Sequence, residues 1–187
     1  MTQLNYFSDQ FLIAMPNLGD PNFSRTVTYL CQHNEEGALG IVINRPAEIK
    51  LGEIFKQMSI SPGDPDCNEI PVFSGGPVQQ ERGFVIHASN TSWESTMVIS
   101  DSLALTTSRD ILEALANKEG PKQVLIALGY AGWGKGQLER EISENAWLNT
   151  PSADKILFET PVSQRWFAAA DQLGIDINSL TTPAGHG

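Results

Sequence analysis

The order in which two apolar periodicities follow one another constrains the fold of this chain more than any other feature. In its first half the apolar runs are short and of strand character: "QFLIAMP", "TVTYLCQHN", "GALGIVINRP", "VFSGGP", "GFVIHAS" and "STMVISDSLALTTS". "EEG" between the second and third is a hairpin turn. In the second half helical spacing prevails. Thr107 with Asp110 has the form of a capping box, with Ile111, Leu112 and Leu115 on one face until Gly120 and Pro121 stop the helix. "GQLEREISENAWL" and "SQRWFAAADQLG" read as two further helices, the last ended by Gly174. One short helix interrupts the strand-rich half, "LGEIFKQM", where Leu51, Ile54, Phe55 and Met58 share a face. Strands early and helices late favour an α+β fold over the regular alternation of a doubly wound sheet.

The length of 187 residues suits one domain spanning 1–187, with no internal repeat. "SISPGDPDCNE" reads as a polar surface loop, and the tail 178–187, "NSLTTPAGHG", is expected to be disordered. No apolar run approaches the ~20 residues that span a bilayer, so no membrane role is expected. The N-terminal segment lacks the basic region of a signal peptide, which makes the cytoplasm the expected location and Cys31 and Cys67 free thiols. Of the two, Cys31 on a strand reads as buried and Cys67 in the polar loop as exposed. Acidic residues exceed basic ones by 22 to 12, giving a net charge of −10. That field opposes phosphate backbones, and no basic run or helix-turn-helix is present, so direct nucleic-acid binding is not expected. The cysteines and the three histidines are scattered, and neither a metal nor any other cofactor is expected.

"QVLIALGYAGWGKGQLEREI" runs from strand through glycine turn to helix, and Gly129 to Lys135 fit the first seven places of the P-loop pattern. The eighth is Gly136, which lacks the hydroxyl that holds Mg²⁺, and no apolar strand ends in the Asp of a Walker B segment. The alternative is a packing turn, with Trp133 as its apolar anchor. "FSGGPV" raises a second chemistry, with Ser74 as a nucleophile beside Gly75 and Gly76, whose amides could form an oxyanion hole. It is not G-x-S-x-G, and neither His33 nor His87 is paired with it by the sequence; a turn before Pro77 explains it more simply. A third cluster is polar. Asp20, Asn22, Arg25, Asn44 and Arg45 stand where strands end, and the hairpin would bring them to one sheet edge. There an arginine fork could take a carboxylate or phosphate. The internal alternative has Asp20 or Asn22 capping a turn, Asn44 satisfying backbone groups and Arg45 paired with an acid.

"FLIAMPNLGDPNFSRTVTYLCQHNEEGALGIVINRP", "FSGGPV" and "LGYAGWGKGQLEREISENAWL" together, in this order and over nearly the whole chain, closely resemble the YqgE/AlgH family of bacterial proteins. The resemblance implies an α+β fold in which a bifurcated mixed β-sheet forms a pseudo-barrel flanked by helices. It implies little chemistry; the family's usual label is transcriptional regulator. In the family pattern Lys135 falls on a free position. The expected role is therefore regulatory or binding, with no catalysis demonstrated by the sequence, toward a protein partner or a small anionic ligand. Its surface would draw on Asp20, Asn22, Arg25, Asn44, Arg45, Ser74, Gly75, Gly76, Gly129 and Trp133. Two alternatives stand beside it: a small-molecule or nucleotide-binding enzyme using the Gly129–Gly136 turn, and a protein-protein interaction module. Whether Gly75, Gly76, Arg45 and Gly129 line one pocket discriminates between them.

Overall fold

A computed structural model describes residues 6–180. The expected hairpin forms from β2 (Val27–Asn34) and β3 (Gly37–Val42), with β1 (Gln10–Ala14) antiparallel on its outer side. β4 (Pro46–Lys50) and β5 (Pro71–Ser74) pair with each other, around α1 (Leu51–Gln57) and a 3-10 turn at Pro65–Glu69. β6 (Val78–Ala88), β7 (Thr96–Val98) and β8 (Leu103–Thr106) follow, then α2 (Arg109–Ala116) and the ten-residue β9 (Val124–Trp133). α3 (Gln137–Ser143), β10 (Trp147–Pro151), α4 (Asp154–Phe158) and α5 (Arg165–Asp171) complete the chain.

β9 is the spine. Its first half pairs antiparallel with β6 on one side and parallel with β5 on the other, and its second half pairs with β3, Ala38 facing Trp133. The sheet therefore forks at the middle of β9. Its main path runs β10-β1-β2-β3-β9-β6-β8-β7, curled into a half-barrel, so the α+β, bifurcated and mixed architecture is present. The largest core gathers Phe11, Tyr29, Ile41, Phe84 and Leu103 from the strands together with Trp166 of α5. A second core lies under α1 and α2, and a third surrounds Trp133 and Trp147.

Several local readings need correction. The capping box does not form at Thr107: α2 begins after Ser108, and Asp110 reaches sideways to accept the Glu94 amide at 2.8 Å and the Ser108 hydroxyl at 2.6 Å. The helix expected over "GQLEREISENAWL" is shorter. It stops at Ser143, Asn145 turns into positive φ at 63°, and Trp147 joins β10 beside β1. Tertiary pairing and burial of the Trp147 indole outweigh helix propensity there. Cys67 is buried rather than exposed: the 3-10 turn swings its thiol into the second core, where it donates to the Leu115 carbonyl at 2.9 Å. Residues 177–180 form a further 3-10 turn, and the rest of the expected disordered tail lies outside the described residues.

Candidate functional site

The polar cluster converges, and Asp20, Asn44 and Arg45 are bonded within it. Asp20 Oδ1 accepts the Asn22 amide at 2.9 Å, closing an Asx turn. Asn44 accepts from the Val27 amide and donates to the Arg25 carbonyl, both at 2.9 Å, locking the end of β3 to the start of β2. Arg45 does not pair with an acid; its fork donates to the carbonyls of Pro21 at 2.7 Å and Ser24 at 2.8 Å. The Arg25 guanidinium lies over the Trp166 ring, 5.0 Å from its centroid. This arrangement fixes a loop and spends the Arg45 fork on two carbonyls, while Arg25 is held against Trp166 by its ring contact.

Gly75, Gly76 and Gly129 also meet, as a crossing of two backbones. The Gly75 amide donates to the Leu128 carbonyl at 2.8 Å, and the Ser74 amide to the Arg45 carbonyl at 2.7 Å. A Cβ on Gly76 would stand 2.2 Å from the Tyr130 carbonyl oxygen, and one on Gly129 2.4 Å from the Gly76 carbonyl oxygen. Gly129 also has φ +79°, which disfavours a side chain independently of space. The crossing is filled by main chain, so it is where the sheet forks and not a pocket. Because the Gly75 amide is already bonded, it cannot serve an oxyanion beside Ser74. Neither histidine serves that serine. His87 is fully buried, with Nδ1 2.7 Å from the Ala88 carbonyl and Nε2 2.6 Å from Thr106 Oγ1. Burial pushes its pKa below the ordinary histidine value. His33, also buried, accepts the Phe7 amide on Nδ1 at 2.9 Å, and its Nε2 faces Glu139 Oε1 at 3.2 Å.

The glycine turn after β9 is a packing device. The Gly134 amide, which a phosphate would need, donates to Gln137 Oε1 at 2.9 Å. Gly136 enters the seven-residue α3 in the left-handed conformation, and Lys135 is exposed. Trp133, 6% exposed, crosses Trp147 edge-on with ring centroids 5.9 Å apart. One oxygen of Glu141 accepts both indole N–H groups, from Trp133 at 3.0 Å and Trp147 at 2.9 Å, while the other accepts from Gln137 at 2.9 Å. α3 is therefore stapled to β9 and β10 by a single carboxylate.

The open space lies elsewhere. Two clefts, of about 400 and 450 Å³, adjoin on the mouth of the half-barrel and share Gln32, Leu39 and Tyr130. The floor of the first is apolar, with Phe84, Met97 and Leu105, and these side chains belong to or pack on the main core. Its rim carries Gln79, Arg82, Glu94 and Thr96. A third cleft, of about 240 Å³ and more enclosed, lies between α1, β6 and α2. Of the ten residues singled out in the sequence, only Trp133 lines one of these clefts. The lining residues carry no sequence signature, because they come from six strands and two helices far apart in the chain and are brought together only by the fold. The one local hint is "QQER", an unusually polar stretch inside a strand. It arches off β9 between the pairs Val78–Tyr130 and Gly83–Leu128 and supplies Gln79, Glu81 and Arg82 to the clefts.

No helix among the described residues is long and apolar enough to cross a membrane. The profile of the AlgH-like family matches residues 11–178. A UPF0301 protein of Methylococcus capsulatus is 57% identical over 186 residues, covering 100% of this chain and 99% of its own. A second, from Thioalkalivibrio sulfidiphilus, is 56% identical with 100% of both chains covered. The solution structure of the AlgH protein from Pseudomonas aeruginosa superposes with a TM-score of 0.82 at 48% identity, over 100% of this chain and 99% of that one. A crystal structure from Corynebacterium diphtheriae shares the fold alone, with a TM-score of 0.74 at 16% identity over 97% of this chain and 95% of that one. With its forked sheet, its Trp133–Glu141–Trp147 staple and these full-length matches, the chain belongs to the AlgH-like family.

Proposed function

We propose that this protein is a binding protein of regulatory type, not a catalyst, and that it takes an extended segment of a partner protein across the mouth of the half-barrel. The observation that carries this reading is the apolar floor of Leu39, Phe84, Met97, Leu105 and Tyr130, which is continuous with the main core yet open along adjoining clefts of about 400 and 450 Å³. An open trough with apolar floor and polar rim suits a chain segment better than a small molecule, which binds in a more enclosed site. β7 stands at the end of the sheet order beside the first cleft, so an extended segment can also add to its edge. The net charge of −10 favours a segment rich in Lys and Arg and disfavours DNA as the occupant. Against an enzyme reading, the Ser74, Gly75 and Gly134 groups that would have carried chemistry are bonded internally or unpaired with a base.

The test is selection from a displayed library of unstructured peptides, with affinities measured for the wild type, Leu39→Glu and Met97→Glu. Basic peptides with alternating apolar residues should bind the wild type in the micromolar range and lose at least tenfold on either variant, about 1.4 kcal/mol. Peptides that bind both variants as well as the wild type overturn the proposal. Concentration-dependent dimerisation abolished by Leu39→Glu replaces it with self-association.

A further inference from the structure

We infer that the enclosed cleft between α1, β6 and α2 is a binding site for a free apolar α-amino acid, independent of the trough at the half-barrel mouth. Its floor is hydrocarbon: Ile54 from α1, Val85 from β6, Leu112 from α2 and Ile126 from β9 are all buried members of the second core. Met58 adds a flexible thioether to the lining, which adapts to differently shaped apolar chains. The rim is polar and holds one cation and one anion, Arg109 at the start of α2 and Glu81 on the arched part of β6. Arg109 spends its Nε on Glu113 at 3.0 Å, so its two terminal nitrogens remain without a partner among the described residues. Glu81, and the side chains of Gln57 and Thr107 on the same rim, likewise have none.

This donor set selects a chemistry. The forked guanidinium matches a carboxylate, Glu81 matches an ammonium, and the floor matches an aliphatic or thioether side chain. A ligand carrying only one of these features leaves a rim charge or the apolar floor unmatched. The volume of about 240 Å³ lies below the ~300–1,000 Å³ that drug-sized ligands occupy, which favours one amino acid over a nucleotide. A nucleotide would also call for more than the single cation present, since each phosphate draws its own charged donors. The chain's net charge of −10 does not oppose the ligand, because a zwitterion has no net charge for that field to repel.

Titration calorimetry on the full chain tests the assignment with L-leucine and L-methionine, against 4-methylpentanoate, which lacks the ammonium, leucinol, which lacks the carboxylate, and N-acetyl-leucine amide, which lacks both charges. Leucine or methionine should bind saturably, and the three controls at least about tenfold more weakly, the scale of one charged hydrogen bond. Arg109→Gln and Glu81→Gln, both at exposed positions, should each weaken the amino acid about tenfold while leaving thermal stability unchanged. Arg109→Gln should not further weaken leucinol, nor Glu81→Gln further weaken 4-methylpentanoate. Absence of saturable binding of both amino acids at about 10 mM overturns the inference, as does binding that both variants leave intact. Binding of N-acetyl-leucine amide as tight as leucine would show an apolar slot without zwitterion recognition and overturns it equally. None of these readouts involves Leu39 or Met97, so the trough and the cleft stand or fall separately.

Discussion

Trp133→Ala should destabilise the protein by about 4 kcal/mol, whereas Lys135→Ala, two residues on, should do almost nothing. Removing a buried indole ordinarily costs about 3–5 kcal/mol through lost transfer energy and the cavity left behind. Trp133 is 6% exposed and packs against both Phe23 and Trp147, at 6.1 and 5.9 Å between centroids, so neighbours on two sides lose contacts and the upper half of that range applies. The hydrogen bond to Glu141 adds little. That carboxylate keeps Trp147 and Gln137, so no acceptor is orphaned. Trp133→Phe, which keeps an aromatic ring and loses only the N–H and part of the area, should therefore cost about 1–2 kcal/mol. For a chain of this size each kcal/mol moves the midpoint by about 2–4 °C, so Trp133→Ala should melt about 8–16 °C lower and Lys135→Ala, exposed and without an ion pair among the described residues, within about 2 °C of wild type. Urea unfolding followed by far-ultraviolet circular dichroism is the appropriate assay, because the substitution removes a fluorophore. The reasoning fails if Trp133→Ala lies within about 1 kcal/mol of wild type. It fails differently if the wild type binds Mg-ATP or Mg-GTP in the micromolar range and Lys135→Ala abolishes that binding. The glycine turn would then be a phosphate cradle after all.

Gly129→Ala should cost more than about 3 kcal/mol or prevent folding, since its Cβ would meet the Gly76 carbonyl oxygen at 2.4 Å with φ at +79°. Gly19→Ala, with nothing within 4 Å, should stay within about 0.5 kcal/mol in the same urea series, and equal effects at the two sites would refute the crossing as the cause. His87 has its pKa lowered from 6.5 by burial, so below that pH the unfolded chain takes up a proton that the folded one refuses. Stability should fall as pH drops from 6.5 through the lowered folded value, and His87→Gln should flatten that segment of the profile; an unchanged slope would refute the assignment. Both cysteines are free and buried, and burial pushes the Cys31 thiol far above its ordinary value. Ellman titration should find two thiols after denaturation and slow or no reaction in the native state.

The features legible in the sequence were those whose physics is local. The β2–β3 hairpin follows from alternation around Glu35-Glu36, and α1 follows from the spacing of Leu51, Ile54 and Phe55. α5 follows from Trp166, Ala169 and Ala170 on one face. The pull of Asn44 and Arg45 toward residues 20–25 was legible because a hairpin's two ends must meet. What that pull is for was not, because a fork satisfied by two carbonyls and one open to a ligand look alike until the loop's path is known. β4 and β10 went unread for a related reason. Pro46–Lys50 is alternately exposed and half-buried and looks like a linker, and Trp147–Pro151 follows a strong helical pattern; each is a strand because β5 or β1 offers it an edge. The cap on α2 was misplaced because the helix starts one residue later than Thr107 suggests, and Asp110 accepts from the N-cap Ser108 hydroxyl and from the Glu94 amide of a distant loop. Burial alone would raise that carboxyl, but these hydrogen bonds outweigh it and hold it below the ordinary aspartate value.

The three motifs by which the chain resembles its family meet at one place, the middle and end of β9. "NRP" delivers the Arg45 carbonyl to the Ser74 amide, "SGGP" lays Gly76 across Gly129 and Tyr130, and "GYAGW" continues into the turn that Glu141 closes. Forking a sheet requires two strands to leave one spine in different directions, and at the fork the chains approach more closely than any Cβ permits. The most recognisable residues are therefore those that the architecture can least replace, and they are buried or bonded to one another for that reason. A ligand cannot use groups already spent on the fork. On the two readings proposed above, recognition falls to side chains the fork merely positions, Leu39 and Met97 in the trough and the exposed Glu81 and Arg109 at the cleft. Substitutions at the exposed Glu81 and Arg109 should leave the unfolding midpoint within about 2 °C, whereas a charge at Leu39 or Met97, which pack on the main core, should lower it. A loss of folding on Arg109→Gln or Glu81→Gln would contradict this division between residues that build the frame and residues that read a ligand.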